Sequence, residues 1–261
     1  MWVNQKDKYI GLKGINNQGY EMEVVDYYDY DHAVIYFSPP YEGTVITKIC
    51  HFQDGGIHNP FAPTVNGYGI TGSKYSTHEK NGKYMVEYLT WCNMLKRCID
   101  KPTKEKCPSY KTVTCDPLWQ FYENFYEWMH DQENFETLNK QNDLNLDKDI
   151  LIKKNKIYAP DKCVLVPRKV NNILLGSDAI RGKYPIGVNY RKQNKKFAAV
   201  DGGHKNYTYL GLFDTPEEAF MAYKKHKEQR IKDLAEEEYK KGNITKKCYE
   251  ALMKYQIEIT D

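Results

Sequence analysis

The chain predicts a multidomain α+β protein, and three observations carry that reading. Residues 9–74 alternate apolar and polar side chains with short polar breaks, as half-buried strands do. After about residue 80 large apolar residues recur at helical spacing instead. Residues 187–223 then join three β-like runs directly to a capped amphipathic helix. At 261 residues the chain exceeds one average domain. The changes of pattern suggest a small β module at 1–76, a helical region with a strand-strand-helix unit at 77–175, and a three-stranded antiparallel sheet packed on one helix, with C-terminal helices, at 176–261.

In the first segment, YEMEVVDYYDYDHAVIYFS holds two alternating runs broken at Tyr30, Asp31 and His32, where a turn fits, and residues 44–50 offer a further strand. HFQDGGIHNPFAPTVNGYGITG is dense in Gly, Pro and Asn, so an irregular loop anchored by its aromatics is expected. In the second segment Tyr88, Trp91, Cys92, Leu95 and Ile99 mark one helix. A second begins at Asp116 and Pro117, a side-chain cap followed by proline at the first helical position. Its stripe of Trp119, Tyr122, Phe125, Tyr126 and Met129 is the composition of a core face. LNLDKDIL and KKNKIYAPDKCVLVP then read as a hairpin about a Lys/Asn turn, with a short helix over 168–175. In the third segment Thr215, Pro216 and Glu218 form a capping-box pattern, Ala219, Ala222, Tyr223, His226 and Arg230 share a helix face, Gly242 and Asn243 stop the helix, and residues 245–255 form a last one.

Net charge is only +3, since 38 basic and 35 acidic side chains nearly cancel. The distribution is uneven. Arg168, Lys169, Arg181, Lys183, Arg191, Lys192, Lys195, Lys196 and Lys205 are set against only Asp178 and Asp201, an asymmetry that suits a phosphate-facing surface or a solvated basic loop. No apolar run approaches the ~20 residues needed to span a bilayer, and the start lacks a signal-peptide pattern, so a cytoplasmic protein is expected. Seven scattered cysteines suggest reduced thiols; zinc at Cys98, Cys107 and Cys115 with Cys92 or Cys163 lacks a CxxC pair.

Strand alternation assigns the faces of the third segment's sheet. Val188 and Tyr190, Phe197 and Ala199, and Leu210 and Leu212 are expected inward. Asn189, Arg191, Lys196, Tyr207 and Tyr209 then face outward, with Lys192 and Lys195 in the hairpin between. Forked donors, ammonium groups and aromatic rings on one face suit base edges, phosphates and sugars, so double-stranded DNA is the expected partner.

The run of GV, a basic hairpin, KKFAA and YLGLFDTPEEAFMAY over about 184–227 resembles the Apetala-two (ethylene-response-factor) DNA-binding domain. That resemblance implies a three-stranded sheet entering the major groove. Arg191 matches a family arginine; Asn189 and Tyr209 occupy contacting positions with altered residues, and Ile186, Val200, Gly202 and Tyr207 stand where the family often has charged contacts.

YLTWCNMLKRC, PSYKTVTCDPLWQFYENFYEW, LDKDIL, KNKIYAPDKCVLVP and Asn171-Asn172 together resemble the HNH (ββα-metal) endonucleases of phage. The resemblance implies a site at Asp147, Lys148, Asp149 and Asn172, with Mg²⁺ or another divalent cation on Asp147 and Asp149. The family histidine is replaced by Lys148, and no histidine occurs between Asp131 and Gly203. A lysine with an ordinary pKa near 10.4 is charged at neutral pH, a poor general base that is better suited to a phosphate. His130 precedes the hairpin and is the nearest imidazole in sequence. The first expectation is therefore a DNA-binding protein of phage or mobile-element type related to HNH homing endonucleases. An active metal-dependent endonuclease is the alternative. A phage protein that binds a host protein through its tyrosine-rich N-terminal module comes third.

Overall fold

The computed structural model describes residues 5–174, 183–203 and 206–261; Arg181, Lys205 and the end of the helix expected over 168–175 lie outside the described residues. The fold is mixed α+β with several antiparallel sheets. Among the described residues no helix is long and apolar enough to cross a membrane. Two compact units form, Met1–Trp128 with Lys156–Ala159, and Met129–Asn155 with Pro160–Asp261. Sequence pattern suggests breaks near 76 and 175 instead. The chain's own packing groups the N-terminal strands with the first helices, and the strand-strand-helix segment with the C-terminal sheet.

In the first unit α1 (Gln5–Tyr9) precedes an antiparallel sheet of β1 (Lys13–Ile15), β2 (Glu21–Asp29), β3 (His32–Phe37) and β4 (Gly43–Thr47), in sequence order. Met22, Val24 and Tyr27 on β2 and Ala33, Ile35 and Phe37 on β3 are buried, the alternation expected of a one-sided sheet. Its other side leaves Tyr28, Tyr30 and Ile46 exposed. The strand expected over 44–50 ends early. Ile49 and Phe52 are three residues apart and both bury, which the helical spacing of α2 (Ile49–Gln53) allows and a strand does not. Within the loop that follows, β5 (Pro63–Val65) pairs with β6 (Gly69–Ile70).

The stripe of α3 (Val86–Ile99) is rotated from the expected one: Trp91, Met94, Leu95 and Cys98 are its deepest apolar residues. α4 (Lys101–Lys106) follows, capped by Asp100. β7 (Thr114–Cys115) pairs in parallel with Ile157–Tyr158, which returns from later in the chain. Asp116 caps as its sequence predicts, accepting from the Leu118 N–H at 2.9 Å, but Pro117–Gln120 is a 3₁₀ turn and Phe121 is extended before α5 (Tyr122–His130) begins. The indole of Trp91 donates to the carbonyl of Trp119 at 2.8 Å, so both large rings bury with that backbone acceptor satisfied.

In the second unit α6 (Phe135–Lys140) leads to β8 (Asn145–Asp147). The expected second hairpin strand is split. Its first part, β9, is the Ile157–Tyr158 segment of the first unit, and its second, β10 (Val164–Val166), pairs antiparallel with β8 before α7 (Arg168–Ile173). The order strand, strand, helix therefore holds. β11 (Val188–Arg191), β12 (Lys196–Gly203) and β13 (Asn206–Phe213) form the three-stranded antiparallel sheet, in that order. α8 (Pro216–Lys240) opens with the full capping box: Thr215 Oγ1 accepts from the Glu218 N–H, and Glu218 accepts from the Thr215 N–H. Gly242, at φ +70°, ends it, and Thr245 caps α9 (Lys246–Met253). Val166, Val170, Val188, Ala199, Phe220, Tyr223, Ile231, Cys248 and Leu252 share one core, so the sheet packs on α8 and α9 together with the β8/β10 hairpin and α7.

One expected face assignment is overturned. The pairing of β12 with β13 shifts between Ala199 and Val200, whose partners are Gly211 and Tyr209, so Leu210 is the extra residue of a bulge. Gly211 takes φ +133°, a conformation that side-chain-bearing residues resist. Beyond the bulge the alternation inverts. Leu210 and Phe213 pack on the core, and Leu212 lies opposite Ala198 on the outer face.

Gly187 enters β11 at φ +77°, and a Cβ placed there would fall inside the ring of Tyr223 from α8. Gly187→Ala combines left-handed backbone strain with overpacking and is expected to cost roughly 2–4 kcal/mol. The check is a urea titration: the midpoint should fall with the slope preserved, and an unmoved midpoint would deny the close approach of strand and helix.

Candidate functional site

The outer face of the three-stranded sheet is built in rows by its register. Arg191 pairs with Lys196 in one row. Asn189, Ala198 and Leu212 make the next, Val200 and Tyr209 the third, and Gly202 and Tyr207 the last. Asn189, Arg191, Tyr207 and Tyr209 are exposed, the two tyrosines by 53% and 54%. On the opposite face of β11 and β12, Tyr190 tilts against the half-buried Phe197 with centroids 5.1 Å apart, but it is exposed rather than buried as expected. The hairpin's Lys192 and Lys195 are exposed as well. Lys195 stands at φ +54°, where Gly or Asn is the conformationally favoured choice. Among the described residues Arg191, Lys192 and Lys195 take part in no ion pair, whereas Lys196 Nζ lies 3.0 Å from Asp214.

The opposite face has its positive charge absorbed. Asp201 on β12 points inward and is 2% exposed. From α8 the Arg230 guanidinium donates to it, with Lys227 Nζ at 3.3 Å and His226 Nε2 at 3.5 Å. A carboxylate this deep is stable only with such partners. Beside it a groove is lined by Lys169, Asn172, Lys227, Arg230, Asp233 and Glu237, so its cations are matched by carboxylates. Lys169 pairs with the buried Glu238 at 2.6 Å and with Glu237 at 3.2 Å, and the hydrogen bond to Glu238 above all raises its pKa.

The four residues of the expected nuclease site are placed as follows. Asp147 Oδ1 accepts from the N–H groups of Asp149 at 2.7 Å and Ile150 at 2.9 Å, a side-chain-closed turn. Burial pushes its carboxyl above the usual aspartate range, against the pull of those two donors. Cys248 and Tyr255 feel its charge, and burial carries each of them to about 12. Lys148 is 7% exposed, and its ammonium donates to Asp149 Oδ2 at 2.6 Å and to the Asn155 carbonyl at 2.8 Å. Its expected contact with a phosphate is thereby corrected: the side chain is turned inward to tie the ends of the loop together. Asn172 is exposed and lines the groove by Asp201, of which the two aspartates are not lining residues. His130 packs its ring at a tilt against Phe135, centroids 4.3 Å apart.

This donor set does not fit a hard divalent cation. Such an ion wants about six oxygens, while Asp147 is partly saturated by amide protons and Asp149 is ion-paired. Among the described residues no group of three or more His, Cys, Asp or Glu side chains is arranged to hold a metal. All seven cysteines are free thiols.

Compared with models of known families, with curated proteins and with solved structures, the chain matches none. Two features of the site were missed from the sequence: the Asp201 clamp, and Leu212 on the outer face. The glycine inside YLGLF is the signal that could have marked the bulge.

Asp147→Asn keeps an oxygen for both N–H donors and removes a half-buried charge. A carboxyl whose folded pKa is raised weakens the fold above that pKa. The native chain recovers this stability as pH falls from the raised value toward the unfolded one. Denaturant titrations should therefore find Asp147→Asn at least as stable as the native chain at pH 7, with the difference shrinking in acid. Marked destabilisation at pH 7 would show that the charge itself is needed.

Proposed function

We propose that the chain is a DNA-binding protein of phage or mobile-element type, related to HNH homing endonucleases, that docks its C-terminal sheet in the major groove. One observation carries this reading: Arg191, Lys192 and Lys195 stand exposed and, among the described residues, without acidic partners beside an outward face of Asn189, Tyr207 and Tyr209, while the cations behind the sheet are neutralised. Uncompensated charge concentrated at one end of a sheet draws a polyanion, and phosphate contacts of this kind set register while the face beside them meets base edges. Lys195 supports the same reading, since it occupies a backbone position at which its charge, not its conformation, is the advantage.

Binding without cleavage is the form of the proposal. Asp147, Lys148 and Asp149 are engaged with one another and with the loop backbone, and the residue at the family's histidine position is a buried lysine. Supercoiled plasmid incubated with Mg²⁺ or Mn²⁺ is expected to stay intact with the native chain. Nicking that disappears in Asp147→Ala would replace the proposal with an active endonuclease.

The affinity for duplex DNA should fall steeply with salt. Arg191→Ala, Lys192→Ala and Lys195→Ala are each expected to flatten the slope of log affinity against log salt by about one, and Lys196→Ala by less, because Asp214 already holds that ammonium. Lys195→Gly separates charge from shape: it should raise stability by up to ~1 kcal/mol while giving the same flattened slope. Slopes identical to the native chain in all four variants would remove the sheet from the interface.

A further inference from the structure

The register places an amide, an apolar patch and a guanidinium at fixed intervals on the outer face. Asn189 shares its row with Ala198 and Leu212, and Val200 lies in the next row on the same face. Ala198 is fully covered by its neighbours and offers no surface of its own, and among the described residues the outward side of the middle strand carries no long side chain beyond Lys196, with Gly202 following Val200. Arg191 is two residues along the strand from Asn189, in the row on the hairpin side.

Each of these groups has one best counterpart in the major groove. A carboxamide presents a donor and an acceptor side by side, which matches adenine N7 and N6. A guanidinium presents two donors, which match guanine N7 and O6, and apolar side chains find the thymine methyl. Outward residues i and i+2 of a strand are ~6.8 Å apart, about two base-pair steps of ~3.4 Å. We propose that this face reads an adenine·thymine pair through Asn189 and the half-buried side chains of Val200 and Leu212, and a guanine two steps away through Arg191.

The inference rests on the DNA-binding reading above and adds the sequence class. Asn189 defines the adenine and Leu212 its apolar surroundings. Tyr207 and Tyr209, at the far end of the face, have a π-surface and a hydroxyl that every sugar-phosphate and base offers contact to, so they add affinity without sequence.

The test is selection by the full chain from a pool of duplexes with randomised centres, followed by anisotropy titrations on the enriched duplex. The expected product has an invariant A·T pair two steps from a G·C pair. Deoxyuridine in place of that thymine removes only the methyl group and leaves the protein untouched; it should weaken binding about fourfold. Leu212→Ala should abolish that sensitivity. Asn189→Ala should lower affinity for the enriched duplex tenfold or more, and hardly at all for a duplex with that pair replaced by G·C. Salt-dependent binding with no enriched A·T pair, or an equal loss by Asn189→Ala on every duplex, overturns the inference and leaves the DNA-binding reading standing. Failure to retain any duplex overturns both.

Discussion

The second unit is organised around one buried carboxylate. Asp201 sits where the sheet meets α8, and three cationic or protonatable side chains, His226, Lys227 and Arg230, converge on it from consecutive turns of that helix. The helix is otherwise largely polar, with Ala219, Phe220, Tyr223, Ile231 and Ala235 buried and Ala222 and Leu234 partly buried on its core face. Apart from Tyr223, whose ring closes on Gly187, apolar contact along such a helix specifies its position only loosely. A charge that must not be left unpaired in a medium of low dielectric does specify it. The seating has a consequence on the far side. With Asp201 inward, the alternation of β12 sends Lys196, Ala198 and Val200 outward, and the charges of the helix are consumed where no partner could use them.

A second polar network does the same for the strand-strand-helix segment. Glu238, fully buried near the end of α8, takes the ammonium of Lys169 from α7 and the side-chain amide of Asn243. The Asn243 carbonyl accepts from Asn134, which also donates to the Leu165 carbonyl on β10, and Gln141 donates to Asn243 Oδ1 at 3.0 Å. The turn at Gly242 thus joins α6, β10, α7 and α8. Networks of this kind fix one arrangement against others of similar hydrophobic burial when their members are bonded; among the described residues Asn134 Oδ1 is buried here without a hydrogen-bond partner. The strand-strand-helix segment is held in this way, its ionisable groups bonded for position.

Much of this architecture was legible in the chain, and the failures have physical causes. Elements signalled by local chemistry were read correctly, because caps and turns are decided by a few neighbouring residues. Thr215 with Glu218 and the turn at Tyr30 and Asp31 are of this kind, as is the Asp116 cap, although the helix expected to start at Pro117 begins only at Tyr122. Features decided by distant partners were not. Lys148 reads as a solvent-facing cation, and only the carbonyl of Asn155, seven residues away, and the carboxylate of Asp149 let it bury. The strand after the Lys/Asn turn reads as one run, yet Ile157–Tyr158 and Val164–Val166 pair with different strands. Leu212 shows the sharpest case: a period-two argument is only as good as the register, and a single extra residue at Leu210 reverses every side chain beyond it.

That reversal is also what makes the outer face chemically uneven. Had alternation continued without the extra residue, Leu212 would have stood opposite Phe197 in the core, and Phe213 would have faced outward opposite Lys196. The bulge at Gly211 reconciles two demands. Leu210 and Phe213 both reach the core, while the strand keeps its pairing with β12 to its end. The cost is an aliphatic side chain left on a face that otherwise carries an amide, a guanidinium and two phenols. A half-buried leucine on the outer face of a sheet is common enough to need no explanation by itself. Set between Asn189 and the tyrosines, however, it breaks the face into polar, apolar and aromatic bands, and a surface with ordered bands distinguishes among partners where a uniformly basic one only attracts them.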